Sequence, residues 1–552
     1  MALVDYDDAT AMSLGSGDSS EKVKALSSIA NMGEAGAVYA MDVAALLSDM
    51  DDLVVLGACE ALAQMGDSGV MYADRVAGLL SRGSEKRKCF AAGALGMMGP
   101  SAAKYAESVA ALISSSNPNV KAASVIAIGS MQAESFAKQV GGCLDDSNPA
   151  VVNGAITALT LLDEGGKEFA AAVSKKLTDP VADIRSSAVM YFAKFGDSAL
   201  SHVDPICALL KDADMGVRQS VVSLCEALKE KAVPMVSAAA KCLGESDPRF
   251  KAAAALAIGS IGPAASSQAS AVAALLPDTS EDKSQLVYCV AGIQTKAPMA
   301  MAIPACAAAS ALGSMKEASY ASEIAKLLSS QSMDIRVAAA AALGELGSKS
   351  EDSIMPALED PRANVRAAAC SALGVIAKKT KAEADVVTKV AALLEDKSPV
   401  VREAAATALG AMGEDAAAST DALKDLMEKD RAPAVRVAAI KSLGGVGLKG
   451  QVYAPDVCRC IYDEFTDIRI AAIKALAEMG ERGASFADEV AEFLADPDAA
   501  IRVACLESLG EMGEAAKAFL AAIEAAQSDP VPSVRTAADA AASSLGTAAL
   551  ME

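Results

Sequence analysis

The sequence predicts an all-α protein, an array of about 17 helix pairs with a period of about 33 residues. Three observations carry this prediction. One pattern recurs along the chain, as "DIRVAAAAALGELG" from Asp334, "VVREAAATALGAMG" from Val400 and "AIRVACLESLGEMG" from Ala500. Within each copy, apolar residues fall at helical spacing between cap residues and glycine stops. Apolar residues make up 53% of the 552 positions, yet aromatics make up 3% and there is no Trp. A core of Ala, Leu, Val and Met suits closely packed helices.

Arg336 serves as a reference position. Its counterparts are Lys22, Val55, Lys88, Lys121, Val152, Arg185, Arg218, Lys251, Ser284, Ala305, Arg366, Arg402, Arg436, Arg469, Arg502 and Arg535. In the second helix of each pair, apolar residues stand at −1, +3, +6 or +7, and +10 from the reference. In the copy around Arg336 these are Ile335, Ala339, Ala342, Leu343 and Leu346, one buried stripe. Four residues before the reference stands a helix N-cap type: Asp18, Asp51, Ser84, Asn117, Asn148, Asp214, Asp247, Ser280, Ser332, Ser398 and Asp498. Such side chains satisfy unpaired amides of the first turn. Pro118, Pro149, Pro248 and Pro399 follow at once, where a missing amide costs nothing. Gly347 and its equivalents stop the helix.

The first helix of each pair carries Leu at −9 and −8, as in Leu46-Leu47, Leu79-Leu80, Leu209-Leu210, Leu327-Leu328 and Leu393-Leu394. A ring stands at −16: Tyr6, Tyr39, Tyr72, Tyr105, Phe136, Phe169, Tyr320, Tyr453, Phe486 and Phe519. One ring per repeat is expected to plug the junction with the next. Tyr6 places the first repeat at the first residues and the last copy ends near Gly546, so no appended domain is expected.

A net charge of −22 argues against binding nucleic acid or an anionic membrane, which requires a basic face. The twelve cysteines are scattered singly through helical patterns, unlike a short Cys-dense disulfide framework. They read as reduced thiols, and a cytoplasmic, reducing compartment is expected. "MALVDYDDAT" reads as neither signal nor transit peptide, and no apolar run reaches the ~18 residues needed for membrane insertion.

The stretch "LLEDKSPVVREAAATALGAMG" from Leu393 resembles the HEAT-repeat family, and the short Ala-rich repeat is most similar to the HEAT-like class known from phycobilin lyases. The resemblance covers essentially the whole chain. It implies an α-solenoid wound as a right-handed superhelix, with first helices outside and second helices inside. With helices ~8–10 Å apart, the contour would be on the order of 150 Å. It also implies a structural ladder in which Arg185, Arg218, Arg336, Arg366, Arg402, Arg436, Arg469, Arg502 and Arg535 bond acidic residues or carbonyls at neighbouring turns. Asp360, Asp396 and Asp496 are the partners of the expected kind. Members range from lyases to scaffolds, so the family is informative about fold and poor in function.

The period breaks twice. Ser284 to Ala305 is too short for two helices, and "TKAPMAMAIPACAAASALGSM" supplies one where two are due, framed by Pro298 and Pro304. Either a hinge or drift of a degenerate repeat accounts for this. The expected organisation is residues 1–293, an irregular repeat or hinge at 294–315, and residues 316–552. Between Arg366 and Arg402 the excess lies in "AKKTKAEAD", with Lys378, Lys379 and Lys381. "SRGSEKRK", with Arg82, Lys86, Arg87 and Lys88, is a second basic spot. Each reads as solvated surface or as a docking loop for an acidic partner.

The single histidine, His202, takes the ring position of its repeat and is expected to be structural. Without a second His, a His-based metal site and a conventional Ser-His or Cys-His nucleophile are not expected. Cys458 and Cys460 are two apart on a helix and point to nearly opposite sides. "GGVGLKG", residues 444–450, imitates a phosphate loop but lacks its Ser/Thr and follows a helix. No catalytic residue, metal or cofactor is expected. The leading expectation is a non-enzymatic protein–protein interaction scaffold or adaptor in a larger assembly. Its partner groove would be lined at +1 and +5 by Ala252, Val337, Ala341, Val437, Ile470 and Val503. The alternative, by family analogy, is a chromophore lyase or lyase-like chaperone.

Overall fold

The structure, a computed structural model, describes residues 8–280 and 302–548. It divides into two compact units, 1–245 and 246–552. Among the described residues there is no strand, and each unit is an α-solenoid of stacked helix pairs. The second helices run from Ser19–Asn31 to Met215–Leu228 in the first unit and from Pro248–Ser260 to Pro532–Ala548 in the other.

The local signals explain the elements. Asp18, Asp51, Ser84, Asn117, Asn148, Asp214, Asp247 and Asp498 each accept a first-turn amide, as the cap reading requires. Ser332 and Ser398 occupy the cap position without such a bond. In most repeats the residue eleven past the reference has positive φ at the helix end, Gly196 and Ala377 being exceptions. The glycines with positive φ, from Gly33 to Gly513, all stand there, as do the non-glycines Gln132, Asp163, Lys229 and Lys316. Ile335, Ala339, Ala342, Leu343 and Leu346 are buried, and so is the −8 leucine of each pair named above. Each fully buried Leu contributes about 1.5–3 kcal/mol. Among the described residues, the rings at −16 are half-buried except Tyr39, which is fully covered.

In many repeats a glycine eight past the reference sets the spacing of second helices. A methyl built on Gly129 would stand 2.5 Å from the Cα of Ala158, and one on Gly259 would stand 2.4 Å from that of Ala311. Backbones approach closely there because neither side carries more than a methyl. This contact corrects the reading of the break. Pro304–Ser314 packs on Pro248–Ser260, its reference residue is Ala305, and Lys316, eleven on, has φ 60. The first helix of the same pair is Ala269–Ala273. Both helices are therefore present, with extra chain between them. Ser284 and positions 294–301 lie outside the described residues, as does Tyr6.

The described cysteines are free thiols, buried except for half-buried Cys89. Burial pushes the thiols of Cys59, Cys225, Cys370 and Cys505 up to about 12.

Candidate functional site

The reference side chains build a ladder along the turns that join first to second helices. Arg185 reaches Asp212 at 2.7 Å, Arg366 reaches Asp396 at 2.8 Å, Arg402 reaches Asp430 at 2.6 Å, and Arg502 reaches Asp529 at 2.9 Å. Arg436 and Arg469 pair likewise with Asp463 and Asp496. Lys22, Lys121 and Lys251 make the same contact with Asp49, Asp146 and Asp278, each at 2.7 Å. Each carboxylate belongs to the next repeat. One of its oxygens also accepts an amide two residues on, as Asp396 does from Ser398 and Asp430 from Ala432. The guanidinium donates in turn to carbonyls of its own turn: Arg402 to Asp396 and Lys397, Arg502 to Asp496 and Pro497.

Arg218, Arg336 and Arg535 make the carbonyl half of this contact, to Asp212 and Ala213, Ser330 and Gln331, and Asp529 and Pro530. Asp360 gives its carbonyl to Arg366 and its carboxylate to Arg362. The Arg366 bond, aided by the Ser398 amide, holds the Asp396 carboxyl below its ordinary range. Burial alone would raise Asp430, but Arg402 and the Ala432 amide bring it below as well. These groups are spent on one another, which suits fastening of turns and not capture of an anion.

Between the ladder and the helix C-termini, the second helices expose a different surface. Met333, Val337, Ala341 and Glu345 follow one another at four-residue steps on the outward side of Met333–Leu346. Met333 is 69% exposed, Val337 55% and Val400 56%. With Ala368, Ser371 and Val375 of Ala363–Ala377, and Ala404 and Thr407 of Pro399–Met412, they line an open depression of about 530 Å³. Its charged groups are Arg336 and Glu403, and Asn364, Ser371 and Thr407 are its neutral polar ones. Of the expected groove residues, Val337 and Ala341 line this depression. Val437, Ile470 and Val503 are half-buried on later helices. Ala252, contrary to the expected groove, is fully buried although it holds the position of Val337 in its repeat. Its single methyl is too short to emerge between its neighbours. Met333 and Val400 stand close to the cap position, where other repeats also carry apolar residues such as Leu53 and Met215, so the sequence does not single them out.

The basic spots carry internal partners. Arg87 bonds Asp52 at 2.7 Å and the carbonyls of Asp49 and Met50, serving the repeat whose reference is Val55. Lys88 pairs with Glu85, Lys379 with Glu345, and Lys381 lies 3.9 Å from Asp415. Asp415 also accepts the Ala382 amide, anchoring the longer loop. Arg82, Lys86 and Lys378 are exposed. His202 is half-buried, its Nδ1 2.9 Å from the Ser198 carbonyl and its ring 5.1 Å from that of Phe192. Cys458 and Cys460 are buried. Gly447, with φ 74, sits in the ordinary turn between Pro433–Gly445 and Leu448–Gln451.

With this geometry in place, likenesses to other proteins are informative. The pattern for HEAT repeats matches residues 105–193, 351–444 and 454–543, and that for the PBS lyase HEAT-like repeat matches 335–360. No curated protein sequence matches the chain. Among solved structures, a Kap95:Nup1 complex is similar at TM-score 0.62 and 12% identity, over 98% of this chain and 83% of that one. An importin beta structure gives TM-score 0.56 and 13% identity, over 98% and 84%. The karyopherin Kap121p bound to the extreme C-terminus of the protein phosphatase Cdc14p gives 0.52 and 12%, over 98% and 70%. At these identities the likeness is one of fold. Among the described residues, no helix is long and apolar enough to cross a membrane.

Proposed function

The chain belongs to the HEAT-repeat family, and from that premise we propose that it is a non-enzymatic scaffold docking segments of partner proteins on its second helices. The observation that carries this reading is the depression lined by Met333, Val337 and Val400. Here large apolar side chains of second helices stand in water around one open depression. An amphipathic helix or extended segment fits such a surface, its apolar side chains meeting the valines and its polar ones meeting the Arg336 and Glu403 rim. A structural neighbour of the same fold holds the extreme C-terminus of another protein, which supports a terminal or linear segment as cargo. The free, buried cysteines support a reducing, cytoplasm-like compartment. Among the lining residues there is no convergent set of acids, bases or nucleophiles, so the lyase alternative draws no support from this site.

The test compares proteins captured from the native source by the parent and by the Val337→Asp/Val400→Asp double variant. Both positions are exposed, so the variant is expected to keep its helix content and melting temperature and to lose a defined subset of partners. Capture of the same partners by both proteins would remove the depression from the function.

A further inference from the structure

We propose that the turn from Tyr462 to Phe465, together with Phe493, is a second docking site, and that its occupant is a basic, arginine-bearing segment of a partner protein. The fold does not ask for rings at these positions. Phe465 occupies the cap position of the helix Thr466–Glu478 and makes no side-chain cap bond. Its counterparts Asp18, Asp51, Asn117, Asn148 and Asp498 all make one. Tyr462 stands seven before the reference, where other repeats carry Ser48, Ser81, Ser114, Thr178 or Ser329. In a protein with 3% aromatic residues, two rings therefore replace small polar groups within one turn. Both are open to solvent, Tyr462 57% exposed and Phe465 42%.

The turn is held in place. Asp463, between the rings, pairs with Arg436 of the preceding repeat and accepts the Phe465 amide at 3.1 Å. The Tyr462 ring lies 5.4 Å from that of Phe493, centroid to centroid, and its hydroxyl donates to Glu492 at 2.9 Å. The chain limits the separation of residues 462 and 465 to about 10 Å, so one segment can touch both rings.

Charge selects the occupant. Glu464, Asp467 and Glu492 are exposed around the rings, and none forms an ion pair among the described residues. Aromatic faces bordered by carboxylates that carry no cation suit a guanidinium, which stacks on the ring while its N–H groups meet the acids. A second copy of the chain, at net charge −22, would bring like charge to the same rim.

The experiment measures fluorescence anisotropy of a labelled peptide of alternating Arg and Gly against the full chain at physiological salt. A Lys-Gly peptide of equal charge serves as comparison. The parent is expected to prefer the arginine peptide. Tyr462→Ser/Phe465→Ser should weaken that peptide roughly tenfold and abolish the preference, with a melting temperature no lower than the parent's. Phe465→Asn, which restores the cap without adding charge, should act in the same direction. Glu464→Gln/Asp467→Asn should weaken binding and flatten its salt dependence. Equal affinity of parent and Tyr462→Ser/Phe465→Ser, or no preference for arginine in the parent, would overturn the proposal. A parent dimer that the ring variants convert to monomer in sedimentation would also overturn it, because the patch would then be a self-interface.

Discussion

Asp430 shows what a single residue does here. Its carboxylate takes two bonds from Arg402 of the preceding repeat and one from the Ala432 amide. Removing the cation leaves a buried charge with only an amide, so Arg402→Ala is expected to cost about 2–4 kcal/mol, read from urea unfolding. Acid should do the same to all such carboxylates together. Asp49, Asp146, Asp396 and Asp430 are held below their ordinary value of 3.8. A lowered acid stabilises the fold fully above its unfolded value and loses that contribution as pH falls through its folded one. Unfolding midpoints are therefore expected to hold from pH 7 to about 5 on this account and to fall below pH 4. His202 fills a ring position against Phe192, so His202→Phe is expected to change stability by less than about 1 kcal/mol. The arginines, caps and stops were legible because each acts within one turn or on a neighbour at fixed spacing. Exposure was not legible. Val337 and Ala252 hold the same position, and what packs over them decides which one meets water.

At the scale of the helix, the deciding contact is backbone on backbone. Gly129→Ala would place a methyl 2.5 Å from the Cα of Ala158, and the helices must part. We expect a loss of about 1–3 kcal/mol. Gly93 has open space around its Cα, so Gly93→Ala should be neutral or stabilising by up to about 1 kcal/mol, because alanine favours the helix. Paired thermal melts of the two variants check this. The same contact explains what a local pattern leaves out. The stretch around Ser284, outside the described residues, satisfies the cap and stripe pattern locally. Which helix stacks on Pro248–Ser260 depends on the meeting of Gly259 and Ala311, residues 52 positions apart in the chain (311 − 259). No local pattern contains that pairing.

At the scale of the whole chain, repeats that touch only their neighbours make stability a sum of local terms. The spacing break proposes a division around 294–315, whereas the compact units meet in sequence at 245/246. The two proposals differ in measurable terms. Pro304–Ser314 is packed through Ala311 on one side and through Gly313, against Ala342, on the other. Fragment 316–552 lacks that helix and uncovers Met333–Leu346. It is therefore expected to melt several degrees below fragment 246–552 by circular dichroism, by roughly the cost of exposing a few apolar side chains. Equal melting would favour the division near residue 300.

The buried thiols turn the array into its own clock. Only a thiolate reacts with an alkylating reagent, and burial holds Cys59, Cys225, Cys370 and Cys505 in the protonated form. Each is silent until its own helix pair opens. Timed alkylation followed by peptide mass mapping would therefore report, site by site, how often each stretch breathes, without any label having been engineered in.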